Sequence, residues 1–459
     1  MWTTITCSTS VFTTRTRISR KTRYVLQRVL LLTKTFTIMK EDKILKMFFE
    51  PGRWQYAITK GVDKDISKAQ LYQLCKPEAR IAMYEAIRDG RYRICPPHTA
   101  KIPKDNGDFR TVYVNEPIDR IFLSIANDLL FELTPYLVHE RCKSYLKGMS
   151  CGRAVQEVSR IVCSHEGVIG WKSDLSKYFD SVPLRYIDEM FDKVEIDHGK
   201  SRIIDVIRDY YHSDLYFDED NNLRETYQSL KQGCAVAAWL ADVILYHIDE
   251  RMSKRFDGYY IRYSDDMLFL GERYAEAMDG LRSYLNEMQM NLNPKKVEYL
   301  DKQHWFKFLG FAIRGSDISL PKSRLKKFQK EIEARTIKDR ETTPVKAVNA
   351  VNKYLYKGFD GYSWATLVLP VINVKKDIDT MNGFVMDCIR AVMTGKRKIG
   401  GLGFVKDQKE GCVTRGKGKN VRANRDKTGA RIEGYKSLGC MRNALLTSRD
   451  AYNTLVANL

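Results

Sequence analysis

The chain has 459 residues, of which 44% are hydrophobic and 11% aromatic, a composition that excludes a disordered polypeptide. Its formal net charge of +20 favours a polyanionic partner, above all nucleic acid, over a merely basic soluble protein. The ten cysteines include no Cys-x-x-Cys pair, which argues against structural zinc and a secreted disulfide scaffold and fits a reducing cytoplasm.

The N-terminal segment 1–38 has its own composition, rich in Thr, Ser and Arg, with no acidic residue before Glu41. It resembles an organellar transit peptide, and it also fits an over-extended reading frame whose true start is Met39. We favour the second interpretation because the sequence looks globular from Met39 onward. No stretch reaches the roughly 18 uncharged apolar residues of a membrane helix, so no membrane association is expected.

Hydrophobic periodicity predicts an α+β fold, with helices over 39–95 and 117–135 on either side of short strands from Ile94 to Val114. Those strands turn at Asp105–Gly107. The central part is predicted to contain a strand and turn over 168–182, a helix over 234–256, a hairpin over 259–271 and a helix over 274–290. Short strands to about Leu320, helices over 322–394, a Gly-rich basic segment over 396–431 and a last helical segment follow.

Three aspartates are the candidates for chemistry. Asp174 follows a short apolar run, and Asp265 and Asp266 lie at the tip of the predicted hairpin. Neighbouring carboxylates repel one another, and Mg²⁺ relieves that cost because it prefers carboxylate, water and phosphate oxygens. Two such ions, with Mn²⁺ as a substitute, could activate a primer hydroxyl and hold pyrophosphate. An isolated Asp-Asp in a turn is more often only a solvated turn, so the surrounding motifs decide.

The motifs resemble those of reverse transcriptases over about residues 90–315. Tyr263–Asp266 resembles the Y-x-D-D box, and Asp174–Asp180 resembles the first palm motif. Further similarities occur in the family's order. The fingers of group II intron-type enzymes are resembled by Ile102–Lys104, Gly107, Arg110-Thr111 and Asp119-Arg120, and the segment after the fingers by Ser144-Tyr145, Gly148 and Gly152-Arg153. The later motifs of the family are resembled by Gln232-Gly233, Leu292–Lys296 and Phe308–Phe311.

This resemblance implies a right-hand polymerase with fingers, an antiparallel-sheet palm, a helical thumb and a basic C-terminal extension. The implied domains are an N-terminal extension at 1–38, N-terminal helices and fingers at 39–168, the palm at 169–320, the thumb at 321–395 and the basic region at 396–459. We expect the segment 396–431 to contact structured RNA, the alternative being a solvated basic loop.

The same resemblance implies roles for individual residues. Asp174, Asp265 and Asp266 become metal ligands, and Lys296 becomes a general acid for pyrophosphate. The remaining implied roles are Lys104 and Arg110 as ligands of the incoming triphosphate, Phe179 as the gate that collides with a ribose 2′-hydroxyl, and Gln232 and Gly233 as neighbours of the nascent base pair. Taken singly, Phe179 could equally be a core aromatic, and Lys104, Arg110 and Lys296 solvated charges; Asp180 is interpreted as structural.

One departure concerns Cys234–Trp239, where the family usually has prolines and serines. It weakens assignment to mobile group II introns and to diversity-generating enzymes, and no zinc-finger endonuclease pattern follows the thumb. What remains is similar to divergent bacterial reverse transcriptases of unassigned groups, many of which act in defence against phage. That resemblance implies a cytoplasmic bacterial enzyme that copies a cognate non-coding RNA into DNA from dNTPs, with homo-oligomerisation left open. The alternatives are untemplated or protein-primed DNA synthesis and an RNA-binding, maturase-like protein without polymerase activity.

Overall fold

The structure is a computed structural model that describes residues 42–59, 76–104, 108–146, 148–164, 169–357, 363–398, 402–404, 413–416 and 432–457. Three predicted features lie wholly or mostly outside these residues: the extension 1–38, the turn Asp105–Gly107 and most of the basic segment 396–431. In the described part of the chain, no helix is both long and apolar enough to cross a bilayer.

The N-terminal helices are α1 (Lys43–Phe48), α2 (Pro51–Thr59) and α3 (Pro77–Arg88), followed later by α4 (Pro117–Leu133). Asp42 caps α1 by accepting the amide of Leu45 at 2.8 Å. Phe48 is buried against Phe122 of α4, with ring centroids 4.8 Å apart. The apolar residues of α1 and α2 thus pack on α4, whereas α3 packs on the later helix Arg202–His212. The helical prediction is confirmed for α1, α2 and α3.

The strands of the predicted fingers are β1 (His98–Pro103) and β2 (Phe109–Val114), which pair antiparallel in a hairpin. Two short strands from the middle of the chain, β4 (Leu215–Phe217) and β5 (Leu223–Glu225), extend this sheet to the order β2-β1-β4-β5. A single parallel register pair, His98 with Phe217, joins the two hairpins. The sequence pattern did not predict that connection, because it joins residues more than a hundred positions apart.

The central sheet has the order β6-β7-β3-β8, formed by β3 (Ile169–Asp174), β6 (Tyr259–Tyr263), β7 (Asp266–Leu270) and β8 (Glu298–Asp301). Each pair of neighbours is antiparallel. The helices of this region are α5 (Cys151–Ser164), α6 (Tyr178–Ser181), α7 (Leu184–His198), α8 (Arg202–His212), α9 (Val236–Val243), α10 (Tyr246–Arg255) and α11 (Tyr274–Glu287). Trp171 and Phe269 stack across β3 and β7 in a core shared with α4, so one apolar cluster fixes the sheet relative to the N-terminal helices.

The single helix predicted over 234–256 is wrong in one respect, since the helix breaks between Val243 and Tyr246. In an unbroken helix the carbonyls of Ala241 and Asp242 would accept the amides four residues later. Here both carbonyls accept hydrogen bonds from the Arg262 guanidinium, at 3.1 Å and 2.8 Å. The break is therefore caused by a buried side chain from strand β6.

The C-terminal part begins with a small sheet of β9 (Phe306–Phe308), β10 (Phe311–Arg314) and β11 (Asp317–Ser319). Its helices are α12 (Lys322–Ala334), α13 (Pro344–Tyr356), α14 (Trp364–Val368), α15 (Lys375–Thr394) and α16 (Leu438–Ala457), with the strand pair β12 (Leu402–Phe404) and β13 (Val413–Gly416) between the last two. Leu402 and Leu438 belong to the same buried cluster as Phe328 of α12. The described residues after 395 are thus packed against the helices before them.

Candidate active site

The backbone brings the three aspartates to one edge of the central sheet. Asp174, the last residue of β3, lies in register with Asp266, the first residue of β7. Asp265 lies in the turn just before β7, and its carbonyl accepts the amide of Leu175 at 3.3 Å. Antiparallel pairing therefore places carboxylates that are about ninety residues apart in sequence on neighbouring strand ends.

The turn that carries Asp265 has an uncommon backbone conformation, since Ser264 has φ = 57° although it is not glycine. Three groups hold it there. The Ser144 hydroxyl oxygen accepts the Ser264 amide at 2.8 Å, and the Arg262 guanidinium donates to the Ser264 carbonyl at 3.1 Å. The Tyr145 hydroxyl lies 3.4 Å from the Ser264 hydroxyl. The conformation of the turn is thus set by residues outside it.

Arg262 is the centre of a buried polar network beneath this turn. Its side chain is 0% exposed and forms an ion pair with Asp249, which is also 0% exposed. The Arg262 Nε lies 2.7 Å from Asp249 Oδ1, and its Nη2 lies 2.6 Å from Asp249 Oδ2. Asp242 completes the network by accepting the hydroxyl of Ser144. Sequence reasoning did not identify Arg262, Asp242 or Asp249; the only available signal was a charged residue at an inward-facing position of a hydrophobic strand.

Burial and mutual repulsion act on the catalytic candidates. Burial raises the pKa of the Asp265 carboxyl, and the charge of Asp174 raises it further. Burial raises the pKa of Asp266 from 3.8 to about 7, with Asp265 and Asp174 as the next largest causes. The Lys296 ammonium opposes both shifts. Ionising these carboxyl groups together therefore costs free energy, and nearby cations lower that cost.

Lys296 lies beside the first of these carboxylates, with its Nζ 2.5 Å from Asp174 Oδ2. A short 3-10 turn, Pro294–Lys296, presents it, and Asn293 caps that turn by accepting the Lys295 amide at 3.2 Å. The Asn293 amide in turn donates to the Asp174 carbonyl at 2.8 Å. The Lys296 side chain is 57% exposed, so the ammonium can reach solvent and a ligand on the open side.

The donor set suits a hard divalent cation, because the three side chains offer only carboxylate oxygens. Within the described residues, no group of three or more His, Cys, Asp or Glu side chains is arranged as a ready metal site. The Lys296 ammonium donates to one carboxylate oxygen of Asp174. The strand register and the raised pKa values of Asp265 and Asp266 nevertheless fit a site that binds positive charge.

The two predicted triphosphate ligands lie on the fingers hairpin, and both side chains are exposed. Both cations act on carboxyl groups of the central region. Lys104 and Arg110 lower the pKa of Asp180, which burial raises, and Arg110 likewise lowers the pKa of Asp265. Of the two, only Arg110 acts on a catalytic candidate, Asp265. Asp180 has Lys177 as the largest of its opposing charges.

Gln232 and Gly233 lie where a loop of the palm meets strand β2. The Gln232 carbonyl accepts the Tyr113 amide at 2.7 Å. Gly233 has φ = 108°, and a Cβ placed on it would lie 2.8 Å from the Tyr113 carbonyl oxygen. Phe179 is half-buried, and its carbonyl accepts the amide of Leu230 at 3.1 Å, which ties the first palm motif to the same loop. The structure therefore brings these three residues together.

Lys231, next to Gln232, is a residue that sequence reasoning missed. It is 1% exposed and has φ = 51°. Its ammonium donates to the Ser213 carbonyl at 2.6 Å and to the Gln228 side-chain oxygen at 3.1 Å, and it lies 4.6 Å from the centre of the Tyr210 ring. Burial lowers the pKa of Lys231 from 10.5 to about 8. This buried cation anchors the loop that carries Gln232 and Gly233.

Comparison with known families identifies this region. Residues 102–313 match the family described as Reverse transcriptase (RNA-dependent DNA polymerase). This segment, a little under half of the chain, is similar to a reverse transcriptase domain. The antiparallel sheet that carries the aspartates is the palm of a right-hand polymerase, and the predicted α+β fold is confirmed.

Two yeast proteins are similar to this chain. The chain is 22% identical over 333 residues to the Putative COX1/OXI3 intron 1 protein of Saccharomyces cerevisiae, covering 59% of this chain and 38% of that protein. It is 22% identical over 171 residues to the Putative COX1/OXI3 intron 2 protein of the same yeast, covering 37% of this chain and 19% of that protein. The chain thus spans less than two-fifths of the length of either relative.

Two solved structures show distant similarity. Apo telomerase from Candida tropicalis aligns with 66% of this chain and 59% of its own chain, with a TM-score of 0.44 and 12% identity. Apo telomerase from the same organism truncated from the C-terminal domain aligns with 51% of this chain and 58% of its own, with a TM-score of 0.40 and 14% identity.

Proposed function

We propose that the protein is an RNA-directed DNA polymerase that extends a primer with dNTPs on an RNA template. The observation that carries the proposal is the register of Asp174 with Asp266, with Asp265 in the adjoining turn, inside a reverse transcriptase domain. Three carboxylates with this arrangement suit phosphoryl transfer, in which positioning and charge stabilisation supply most of the catalysis.

Asp174, Asp265 and Asp266 are the residues that would hold two Mg²⁺ ions, with Mn²⁺ as a substitute. When bound, such ions lower the pKa of the primer hydroxyl and neutralise charge on the transferred phosphate. Lys296 is the proposed general acid for pyrophosphate, since its exposed ammonium adjoins Asp174. To act as this acid, the Lys296 ammonium leaves Asp174 and faces the leaving pyrophosphate.

The proposal keeps the other roles that the family resemblance implies. Lys104 and Arg110 bind the triphosphate, because their charges face the palm from the fingers hairpin. Phe179 excludes a ribose 2′-hydroxyl, and Gln232 and Gly233 lie against the nascent base pair. The proposed domains are fingers with N-terminal helices at 39–168, palm at 169–320, thumb at 321–395 and a basic RNA-binding region at 396–459.

The biological part of the proposal is a cytoplasmic bacterial enzyme that copies a cognate non-coding RNA in defence against phage. It is supported by the departure at Cys234–Trp239 from the pattern of mobile introns and by the +20 net charge, which suits an extensive RNA partner.

A second candidate is an RNA-binding protein that assists an intron without polymerising DNA. The observation that favours it is the similarity to two proteins named for introns, which extends over 59% of the chain in one case. The retained aspartates in strand register favour the polymerase.

The experiment is to purify the protein with its bound nucleic acid, add Mg²⁺ and dNTPs, and sequence any DNA. Asp265→Ala serves as the matched control, since it removes a proposed metal ligand and no phosphate contact. We expect heteropolymeric DNA complementary to a co-purified RNA from the wild type and none from the variant. Homopolymeric or random DNA would instead indicate untemplated synthesis, and bound RNA without any product would indicate the second candidate.

A further inference from the structure

A basic groove lies between helix α5 and the C-terminal helix α16, apart from the catalytic candidates. Its volume is about 820 Å³, and its lining includes Arg153 and Arg160 of α5 and Arg442 of α16. None of the proposed catalytic or substrate-binding residues is among those that line it. The groove is therefore a separate surface from the active-site cleft.

The walls of the groove are tied to one another. The Gln156 side chain of α5 donates to the Pro370 carbonyl at 3.0 Å, and Ser159 donates to the Gly315 carbonyl at 3.1 Å. On the far side, Asn373 donates to the Ser316 carbonyl at 2.6 Å, and Arg442 Nε donates to the Ile372 carbonyl at 3.0 Å. Because these bonds connect α5, the β10–β11 turn, the 370–373 loop and α16, the groove is preformed.

The charge of the groove is positive. Arg153 and Arg160 are exposed, and neither makes an ion pair with any residue that the structure describes. The one carboxylate in the lining, Glu157, accepts the Tyr259 hydroxyl at 2.7 Å and lies 3.6 Å from the Lys143 ammonium. The charge of Glu157 is thus balanced by a lysine outside the groove, and Arg153 and Arg160 are available to an anionic ligand.

The spacing of the arginines suits a chain of phosphates better than one small anion. Arg153 and Arg160 are seven residues apart on α5, which corresponds to about 10 Å along the helix axis. A nucleic-acid strand advances by about 3.4 Å per nucleotide in a duplex, so the two guanidinium groups span about three nucleotides. Guanidinium planes also stack on unpaired bases, a common feature of RNA recognition.

We propose that this groove binds the phosphate backbone of an RNA segment that lies outside the copied duplex. The inference rests on the proposed function, because it assigns the groove to the RNA that the polymerase copies. The groove adds anchorage for that RNA: it holds a part of the molecule away from the templating nucleotide, while the palm handles the primer end. Arg153 and Arg160 supply the phosphate contacts.

The test uses the double variant Arg153→Gln/Arg160→Gln in the full chain, with the labelled RNA that co-purifies with the wild type as the probe. The matched control is Arg251→Gln/Arg282→Gln, which removes the same charge from α10 and α11 outside the groove. We expect the groove variant to bind this RNA about tenfold more weakly than the control, and its log-affinity slope against log salt to fall by about 1 to 2.

Primed incorporation of dTTP on poly(rA) with oligo(dT) separates this proposal from the function on which it rests. We expect the groove variant to keep wild-type incorporation on that short repetitive duplex. Two results would overturn the groove assignment. The first is an RNA affinity and a salt slope of the groove variant equal to those of the control. The second is a groove variant that loses binding to a polyglutamate peptide but keeps its binding to RNA. Absence of incorporation by the wild type would instead contradict the proposed function, while the RNA affinities would still decide the role of the groove.

Discussion

Arg262 and Asp249 form a fully buried ion pair on the inner side of the Ser264–Asp265 turn, with Arg262 Nη2 2.6 Å from Asp249 Oδ2. The same guanidinium donates to the Ser264 carbonyl, so the pair connects a helix of the palm to the turn that carries Asp265. Buried charges are costly unless they are paired and hydrogen-bonded, and here the strand, the helix and the turn together supply the partners.

Asp249→Asn is expected to lower the free energy of unfolding by about 3 to 5 kcal/mol, because it removes the carboxylate that bonds directly to the buried Arg262 guanidinium and leaves only Asp242, 3.8 Å away. Urea denaturation measures the change. Arg251→Gln is the control: its ion pair with Glu287 is about half exposed on both sides and should contribute less than about 1 kcal/mol. Equal destabilisation by the two variants would show that the buried pair has no special structural role.

Gly233→Ala is expected to impair dNTP incorporation beyond any effect on stability. Its new Cβ would lie 2.8 Å from the Tyr113 carbonyl, so the loop that carries Gln232 has to move. Gly199→Ala isolates the backbone effect, because Gly199 has φ = 89° and nothing within 4 Å of its Cβ position. Both variants should lose about 1 to 3 kcal/mol of stability through backbone strain, and only Gly233→Ala should raise the KM for dNTP. If Gly199→Ala raised that KM equally, the close approach to Tyr113 would be irrelevant.

Phe179→Ala is expected to relax discrimination against ribonucleotides by about 10- to 200-fold, the range that one steric contact provides. The measurement is the ratio of kcat/KM for dNTP and rNTP on one primed RNA template. Tyr178→Phe is the neighbouring control, since it removes only a buried hydroxyl that donates to the Ala241 carbonyl at 3.0 Å. An unchanged ratio in Phe179→Ala would leave Phe179 as a core aromatic.

Lys231 should make the stability of the protein depend on pH. Its pKa falls from 10.5 to about 8 on burial, so the unfolded chain binds this proton more tightly than the folded protein does. The contribution of Lys231 to the free energy of unfolding should therefore rise with pH between about 8 and 10.5, by about 3 kcal/mol. Lys231→Met lacks this proton, so the wild type should gain stability relative to the variant as the pH rises through that window. Urea midpoints that run parallel for the two proteins would contradict the depressed pKa.

The catalytic strands were predictable because local signals agree with the fold. An apolar run before Asp174 and two apolar runs around Asp265-Asp266 indicate strands, and the short turn between Tyr263 and Asp266 indicates a hairpin. These features depend on neighbouring residues, which a sequence displays directly. The pairing of β3 with β7, which lie far apart in the chain, was not predicted.

The support of the site was less predictable because it depends on distant partners. Arg262 is a single charged residue in a mostly apolar strand. The sequence does not indicate that its side chain pairs with Asp249 or interrupts the helix after Val243. Lys231 has the appearance of a surface lysine until Ser213 and Tyr210 surround it. Burial of a charged side chain follows from tertiary packing, so periodicity alone assigns such residues to the surface.

The most direct test of the proposed chemistry compares the wild type with Asp174→Asn, Asp265→Asn and Asp266→Asn in Mg²⁺-dependent extension of a DNA primer on an RNA template. Each substitution keeps the size of the side chain and removes one carboxylate, and RNA affinity is measured alongside. We predict that each variant loses at least about a thousandfold in incorporation rate, equivalent to about 4 kcal/mol of transition-state stabilisation, while RNA affinity changes less than threefold. Incorporation at the wild-type rate by any of the three would contradict the assignment of the aspartates as the catalytic metal ligands.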